Sequence, residues 1–363
     1  MKSKQPETIA LILGAGFSKC AEIPLQAEFP SYLLSEDFSS HIDRAISAIL
    51  AEFMADVFGW KVGGAWPTLE DIFTFIDLST SSGHHLGIKY TPKLLRAIRR
   101  MAIHRVFSVL DQRFRYSSEI TRLLEYCLDS RRVLSGIVVL NWDIALEKHL
   151  SSMLPGFCPD YCCDAQDWNR RSDSGRLGPR VKILKVHGSS NWVYCENCGA
   201  LFYDLNEKLS LRTKVGLIKH DFRLFNEKFT GRAFNRELGI APNERKCRRC
   251  KNMVSSHIAT FSYRKSFRTH AFSQIWHNAF EILAASNRWV FVGYSLPKAD
   301  FELKHLLKCS QLMLAHLAGQ PRRRIDVVSK GDAARAEYES FFGAEHFHYY
   351  SSELAGYVSQ LSV

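Results

Sequence analysis

Three stretches end an apolar run in side chains able to do chemistry. Residues 182–198, KILKVHGSSNWVYCENC, run from a short apolar strand into His187-Gly188 and then a Cys-x-x-C pair. Residues 8–18, TIALILGAGFS, end in Gly14-Ala15-Gly16-Phe17-Ser18, and residues 136–143, GIVVLNWD, end in Asn141-Trp142-Asp143. An imidazole is a proton acceptor near neutral pH. Glycines admit positive φ and let backbone N–H groups approach a phosphate. A late loop, Gly293-Tyr294-Ser295-Leu296-Pro297, has the same glycine-after-strand form. Buried strands that each end this way predict one site at their carboxyl ends. The first loop alone does not name a ligand. A dinucleotide fingerprint asks for a third glycine where Lys19 stands, so a tight strand–helix turn accounts for the loop equally well.

The cysteines point to a metal. Cys195-Glu196-Asn197-Cys198 and Cys247-Arg248-Arg249-Cys250 are two Cys-x-x-C turns with 48 residues between Cys198 and Cys247. Each turn presents two thiolates, and two turns complete a closed tetrahedral zinc site, which is structural and leaves no open catalytic position. The other six of the ten cysteines are scattered. Cys158, Cys162 and Cys163 lack a matched second pair and read as free or buried thiols. This usage predicts a reducing compartment, not a disulfide framework.

The elements around these motifs alternate strand and helix. Strands are predicted at 8–13, 136–140, 181–186, 288–292 and 324–329, with helices at 144–152, 273–285, 300–317 and from 333 to about 342. Helical periodicity fills most of 36–132, with helices at 41–60, 68–78 (Thr68 as N-cap) and 90–115. Residues 153–180 read as irregular. The fold class is α/β, a Rossmann-like parallel sheet with a helical insertion and a small zinc-binding module. The chain divides into 1–190, the first part of the Rossmann-like domain, with its helical insertion at about 36–132; 191–256, the zinc-binding module; 257–345, the second part of the domain; and 346–363, a C-terminal segment.

Composition bounds the rest. The 363 residues are 46% hydrophobic and 23% charged, which excludes a disordered chain. Net charge is +11, which favours acidic partners such as phosphates and admits nucleic acid without indicating it. The basic clusters Arg99-Arg100, Arg131-Arg132, Arg170-Arg171 and Arg322 to Arg324 read as solvated surface. No apolar run is long enough for a membrane span. Lys2, Lys4 and the apolar run before Cys20 imitate a signal sequence, but Lys19 stands where lipid attachment wants a small residue. The run is read as the first core strand, and the expected compartment is the cytoplasm.

In their order, Gly14-Ala15-Gly16-Phe17-Ser18, Asn141-x-Asp143, His187-Gly188, the two Cys-x-x-C pairs and Gly293-Tyr294-Ser295 resemble the sirtuin superfamily. The GAGFS, HGS-NW-CxxC and GYSLPxxD stretches are most similar to its divergent bacterial branch, several of whose members are NAD-consuming anti-phage effectors. The resemblance implies NAD as the bound dinucleotide. Gly14, Ala15, Gly16 and Ser18 would hold the pyrophosphate region, and Gly293 and Ser295 the ribose and phosphates. Asn141 and Asp143 would lie near nicotinamide and its ribose, and His187 would be the general base. The chain departs from deacylating sirtuins at Glu22-Ile23-Pro24-Leu25-Gln26-Ala27, at residues 258–263 (IATFSY, where those enzymes carry Phe-Gly-Glu) and at Leu296-Pro297-Lys298-Ala299-Asp300. These departures remove peptide recognition and leave NAD chemistry. The expected activity is therefore that of an NAD glycohydrolase, releasing nicotinamide and ADP-ribose, in anti-phage defence. Asn141 and His187 would be catalytic and Asp143 would bind the carboxamide. The alternatives are an NAD-dependent deacylase or ADP-ribosyltransferase, and a non-catalytic nucleotide-sensing or nucleic-acid-binding module. A homo-oligomer and a partner protein of defence are also expected.

Overall fold

The computed structural model describes residues 7–35, 37, 40–169, 178–205, 217–227, 231–238, 246–254, 270–315 and 323–361. The central layer is built on β1 (Glu7–Leu13), whose last five residues are fully buried. It runs into a one-turn helix, α1 (Ala15–Lys19), and then α2 (Phe29–Leu33). Next come α3 (His41–Phe58), α4 (Leu69–Ser82), α5 (Pro92–Arg113) and α6 (Ser118–Leu128). Their starts are written locally: Ser40, Thr68, Thr91 and Ser117 each accept a backbone N–H from the first turn. Gly59 and Gly83 end α3 and α4 in the left-handed conformation. α5 is buried around most of its circumference, which makes it the centre of this helical layer.

The chain returns to the sheet in β2 (Arg132–Val139), then α7 (Ala145–Met153), β3 (Cys158–Asp160), β4 (Gln166–Asp167) and β5 (Arg180–Lys185). The strands β6 (Trp192–Tyr194) and β7 (Leu201–Tyr203) follow, with the short helices α8 (Lys219–Arg223) and α9 (Gly231–Leu238). The frame closes with α10 (His270–Ala285), β8 (Arg288–Val292), α11 (Phe301–Ala315), β9 (Arg324–Val328), α12 (Arg335–Phe342), β10 (His348–Tyr350) and α13 (Glu353–Val358).

Among the described residues, seven strands form one sheet in the order β10-β9-β8-β1-β2-β5-β3. Every pairing in it is parallel. Parallel strands covered by helices read as continuous apolar runs, as in IALIL of β1 and RWVFV of β8. The strand after β1 in sequence lies on one side of it and β8 on the other. Strand order therefore reverses at β1, the place where such sheets open a crevice at their carboxyl ends. β4, β7 and β6 form a separate small sheet, over a second apolar cluster of Trp168, Val193, Cys195, Ala200, Phe202, Cys247 and Val254.

Two expectations need correction. Residues 153–180 are not wholly irregular: β3 adds an edge strand beside β5 and β4 joins the small sheet. Both are three residues or shorter, too short for periodicity to register. The glycines of the first loop do not serve through positive φ either. Gly14 is extended (φ −101°) and caps a helix that starts at Ala15. What requires glycine there is close approach. A Cβ on Gly14 would lie 2.5 Å from the Gly293 carbonyl oxygen, and one on Gly16 would lie 2.6 Å from the Gly293 Cα. Positive φ belongs to Gly293 (+63°), where a Cβ would also meet the Phe17 nitrogen at 2.2 Å.

These contacts predict a graded response. Gly293→Ala forces two backbones apart and imposes an unfavourable φ, so it is expected to cost more than the roughly 1–3 kcal/mol of ordinary overpacking. Gly136→Ala meets first the end of the Ile282 side chain, at 2.9 Å, which can rotate away. Thermal melts should show a clearly larger loss for Gly293→Ala than for Gly136→Ala.

Candidate functional site

The carboxyl ends of β1, β2, β5 and β8 open onto one cleft with a cavity of about 190 Å³. Gly14, Ala15, Ser18, Asn141, Asp143, His187, Gly293 and Ser295 line it. Gly16 does not: it sits behind the lining, against Gly293, with its N–H given to the Gly293 carbonyl at 2.8 Å. The N–H of Gly14 goes to the Val292 carbonyl at 2.9 Å. Both amides are thus spent joining β1 to β8. Apolar walls come from Ile23, Pro24 and Phe29, and from Leu110 on α5. The helical layer thereby closes the side of the cleft that the sheet leaves open.

Asn141, 8% exposed, stitches β2 to the first loop. Its Nδ2 donates to the Gly14 carbonyl at 2.7 Å and to Ser18 Oγ at 2.9 Å. A carbonyl can only accept, so this contact fixes the amide's orientation. With both N–H bonds used, Asn141 can act on a bound molecule only as an acceptor, through Oδ1. Ser18, which accepts from Asn141, keeps its own hydroxyl hydrogen to donate.

Asp143 Oδ1 accepts the Ala145 N–H at 3.0 Å, an Asx turn that begins α7. Its main-chain carbonyl accepts from Lys185 Nζ. Lys185 is fully buried and pairs at 3.4 Å with Glu147, which is also fully buried. Burial raises the Glu147 pKa, against the pull of Lys185. Tyr161 donates to Glu147 Oε1 at 3.2 Å, and Asn191 Nδ2 donates to the Tyr161 hydroxyl at 3.0 Å. A buried ionic network thus runs beneath Asp143 towards the small sheet.

His187 follows β5, and Gly188 behind it has φ +84°. Its Nδ1 lies 3.1 Å from the Leu140 carbonyl oxygen. Since that oxygen must accept, Nδ1 carries the hydrogen, and the neutral ring keeps its lone pair on Nε2. Nε2 lies 3.7 Å from Asp300 Oδ1. Asp300 also lines the cleft and accepts the Tyr294 hydroxyl at 2.9 Å through Oδ2. Sequence reasoning assigned Asp300 no role. The available signal was its place five residues past Ser295, beyond Pro297 in the loop that follows β8. That loop is strained: Leu296, fully buried, has φ +52°.

The four predicted ligands converge. The sulfurs of Cys195, Cys198, Cys247 and Cys250 all lie within 4.8 Å of one another. Cys195 and Cys250 are 3.4 Å apart, and Cys198 and Cys247 3.6 Å apart. Four thiolates at zinc–sulfur distances of about 2.3 Å around a tetrahedral ion stand about 3.8 Å apart, so the donor set fits zinc. The two turns are copies. In each, the N–H four residues on returns to the first cysteine's carbonyl, from Gly199 at 2.9 Å and from Lys251 at 3.0 Å. Both of these residues are left-handed, at φ +70° and +66°. Cys158, Cys162 and Cys163 join no such cluster among the described residues. Burial pushes the thiol of Cys162 up to about 12 and that of Cys163 to about 11, which leaves both protonated and unreactive near neutral pH.

No family model matches the chain, and no curated protein matches it. It is similar to solved Sir2 structures. One described as "Sir2-p53 peptide-NAD+" is 11% identical, with 98% of this chain and 91% of that one covered, at a TM-score of 0.45. A "Sir2 homolog-NAD complex" is 10% identical over 98% and 88%, at 0.46. "Sir2 bound to acetylated peptide" is 12% identical over 98% and 91%, at 0.43. No described helix is long and apolar enough to cross a membrane.

Metal analysis of the purified protein is expected to find one zinc per chain. Cys195→Ala or a strong chelator should remove it and lower the melting temperature, because metal binding here is folding free energy. Lys185→Met should cost about 3–5 kcal/mol by leaving Glu147 buried and uncompensated. The double variant Lys185→Met/Glu147→Leu should recover much of that loss in denaturant titrations.

Proposed function

We propose that this chain is a sirtuin-like, NAD-consuming enzyme, and specifically an NAD glycohydrolase. The observation that carries the reading is the meeting, in one cleft, of an acceptor amide on Asn141, the carboxyl group of Asp143 and the imidazole of His187, which is held at Nδ1 by the Leu140 carbonyl. A dinucleotide fits such a lining. Ile23, Pro24, Phe29 and Leu110 offer apolar wall for a flat ring, Asp143 offers an acceptor for a carboxamide, and Ser18 and Ser295 offer hydroxyls for phosphate and ribose.

NAD is the substrate in this reading. Water adds to the ribose carbon as the bond to nicotinamide breaks, the bonding pair leaves with nicotinamide, and the water's proton goes to His187. Positive charge builds on the ribose in the transition state, where a fixed acceptor such as Asn141 Oδ1 is most useful for holding water or a ribose hydroxyl. The base must be uncharged to act, and an imidazole largely is near pH 7.

A nucleic-acid module is disfavoured by the basic clusters that are described. Arg99 pairs with Asp77, Arg100 with Asp221, Arg131 with Asp129 and Arg324 with Asp326. Arg323 donates to the carbonyls of Ser286, Ser310 and Ala284. Each is thus paired or hydrogen-bonded within the chain. Arg170-Arg171, Arg322 and residues 258–263, where the peptide-binding departure is read, lie outside the described residues. A role in anti-phage defence, with a partner protein and a homo-oligomeric state, is proposed on the GAGFS, HGS-NW-CxxC and GYSLPxxD resemblance.

The test is nicotinamide release from NAD by the purified chain, with and without an acylated peptide and, where the protein is silent, in phage-infected cells. Release without peptide is expected. His187→Ala should lower it by roughly a hundred- to ten-thousand-fold while NAD binding remains measurable, and Asn141→Ala should lower it too. Turnover that appears only with the acylated peptide would make the protein a deacylase.

A further inference from the structure

We infer that Asp300 is the electrostatic partner of His187, compensating the charge the ring gains when it takes up a proton at Nε2. The inference rests on the hydrolase reading for its catalytic meaning but not for its physical test.

The geometry is directional. His187 is pinned at Nδ1 by the Leu140 carbonyl, so any proton it accepts arrives at Nε2, on the side facing Asp300 Oδ1 at 3.7 Å. That distance is too long for a direct hydrogen bond and short enough for strong Coulombic coupling. Asp300 is itself held. It is 6% exposed, its Oδ2 takes the Tyr294 hydroxyl, and its backbone N–H goes to the Pro297 carbonyl at 3.1 Å. Tyr294 is anchored in turn, its carbonyl accepting the Tyr338 hydroxyl at 2.9 Å. The carboxylate is thus preorganised, and its orientation does not depend on the ring.

The other ionisable groups around the ring have different duties. From the β2 end, Asp143 lines the same cleft and holds the start of α7. From β5 and α7, Lys185 and Glu147 pair with each other in full burial. From the loop after β8, Tyr294 has given its hydroxyl to Asp300. α10 presents the uncharged Trp276, whose indole donates to the Val186 carbonyl at 3.2 Å. Among the described residues, Asp300 is the carboxylate that faces Nε2.

The experiment titrates His187 by NMR in the full-length protein, with its imidazole signal assigned by loss in His187→Ala. A facing carboxylate favours the protonated ring. Asp300→Asn is therefore expected to move the His187 midpoint down by about one pH unit or more. Asp300→Glu, which keeps the charge, should restore most of the shift, and Asp300→Ser serves as a second neutral variant should the asparagine fail to fold. In turnover, the acidic limb of the kcat profile should move the same way, with kcat reduced and KM for NAD little changed. A midpoint within about 0.3 pH unit of wild type in both neutral variants overturns the inference, since a merely structural side chain would leave it there. The two readings fail separately. Full nicotinamide release by His187→Ala would sink the hydrolase mechanism and leave the titration standing. An unmoved midpoint beside an inactive His187→Ala would sink only the role of Asp300.

Discussion

The cleft depends on how closely two strand ends can approach. β1 and β8 are hydrogen-bonded neighbours, and the turns that leave them occupy almost the same space. Gly14 and Gly16 pack onto the Gly293 backbone at separations no Cβ would allow. That contact is locked by two main-chain hydrogen bonds, from Gly14 to Val292 and from Gly16 to Gly293. The absence of side chains at three positions sets the floor of the cleft, and the third wall is then tied to it. Asn141, leaving β2, gives both amide hydrogens to the first loop. A binding site assembled from distant segments thereby acquires the rigidity of a single turn, and its orienting groups are in place before a ligand arrives.

Much of this was legible in the sequence because the sheet is parallel. A strand covered on both faces must be apolar throughout, so IALIL, GIVV and RWVFV stand out without periodicity. The polar residue that ends each run marks its carboxyl end. Asn141 and His187 stand out for that reason, and the paired cysteines through a spacing that answers to the geometry of a metal ion. The long helices announced themselves through caps, Thr68 and Gly83 among them.

What escaped was set by tertiary contact. β3 and β4 are strands only because β5 and β7 lie beside them. Gly16 looked like a ligand-facing glycine and proved to be a packing one, because sequence cannot say which side of a turn the next strand approaches from. Asp300 looked like the start of a helix. Its meaning lies in a distance to His187, across 113 residues of chain, that no local pattern encodes. Lys185 and Glu147 were likewise invisible, since burial of opposite charges is a property of the pair.

That buried pair bears on how His187 is held. His187 lies between two anchors of different kind. Upstream, Lys185 is fixed from within by Glu147 and by the Asp143 carbonyl, so the exit of β5 is tied to the exit of β2. Downstream, the Ser190 N–H donates to the Trp142 carbonyl at 2.7 Å, and Asn191 bonds through Tyr161 to the same Glu147. Trp192 then enters the small sheet, three residues before the first zinc-type cysteine. The segment between β5 and the metal module is therefore strapped twice to the Asn141-Trp142-Asp143 turn. A hinge between the two sheets would have to break hydrogen bonds in a region where water cannot replace them, at a cost of about 1–3 kcal/mol for each group left unmade. The chain that leads into the four-cysteine module is thus continuous with the wall that carries His187 and is fixed to it by these bonds.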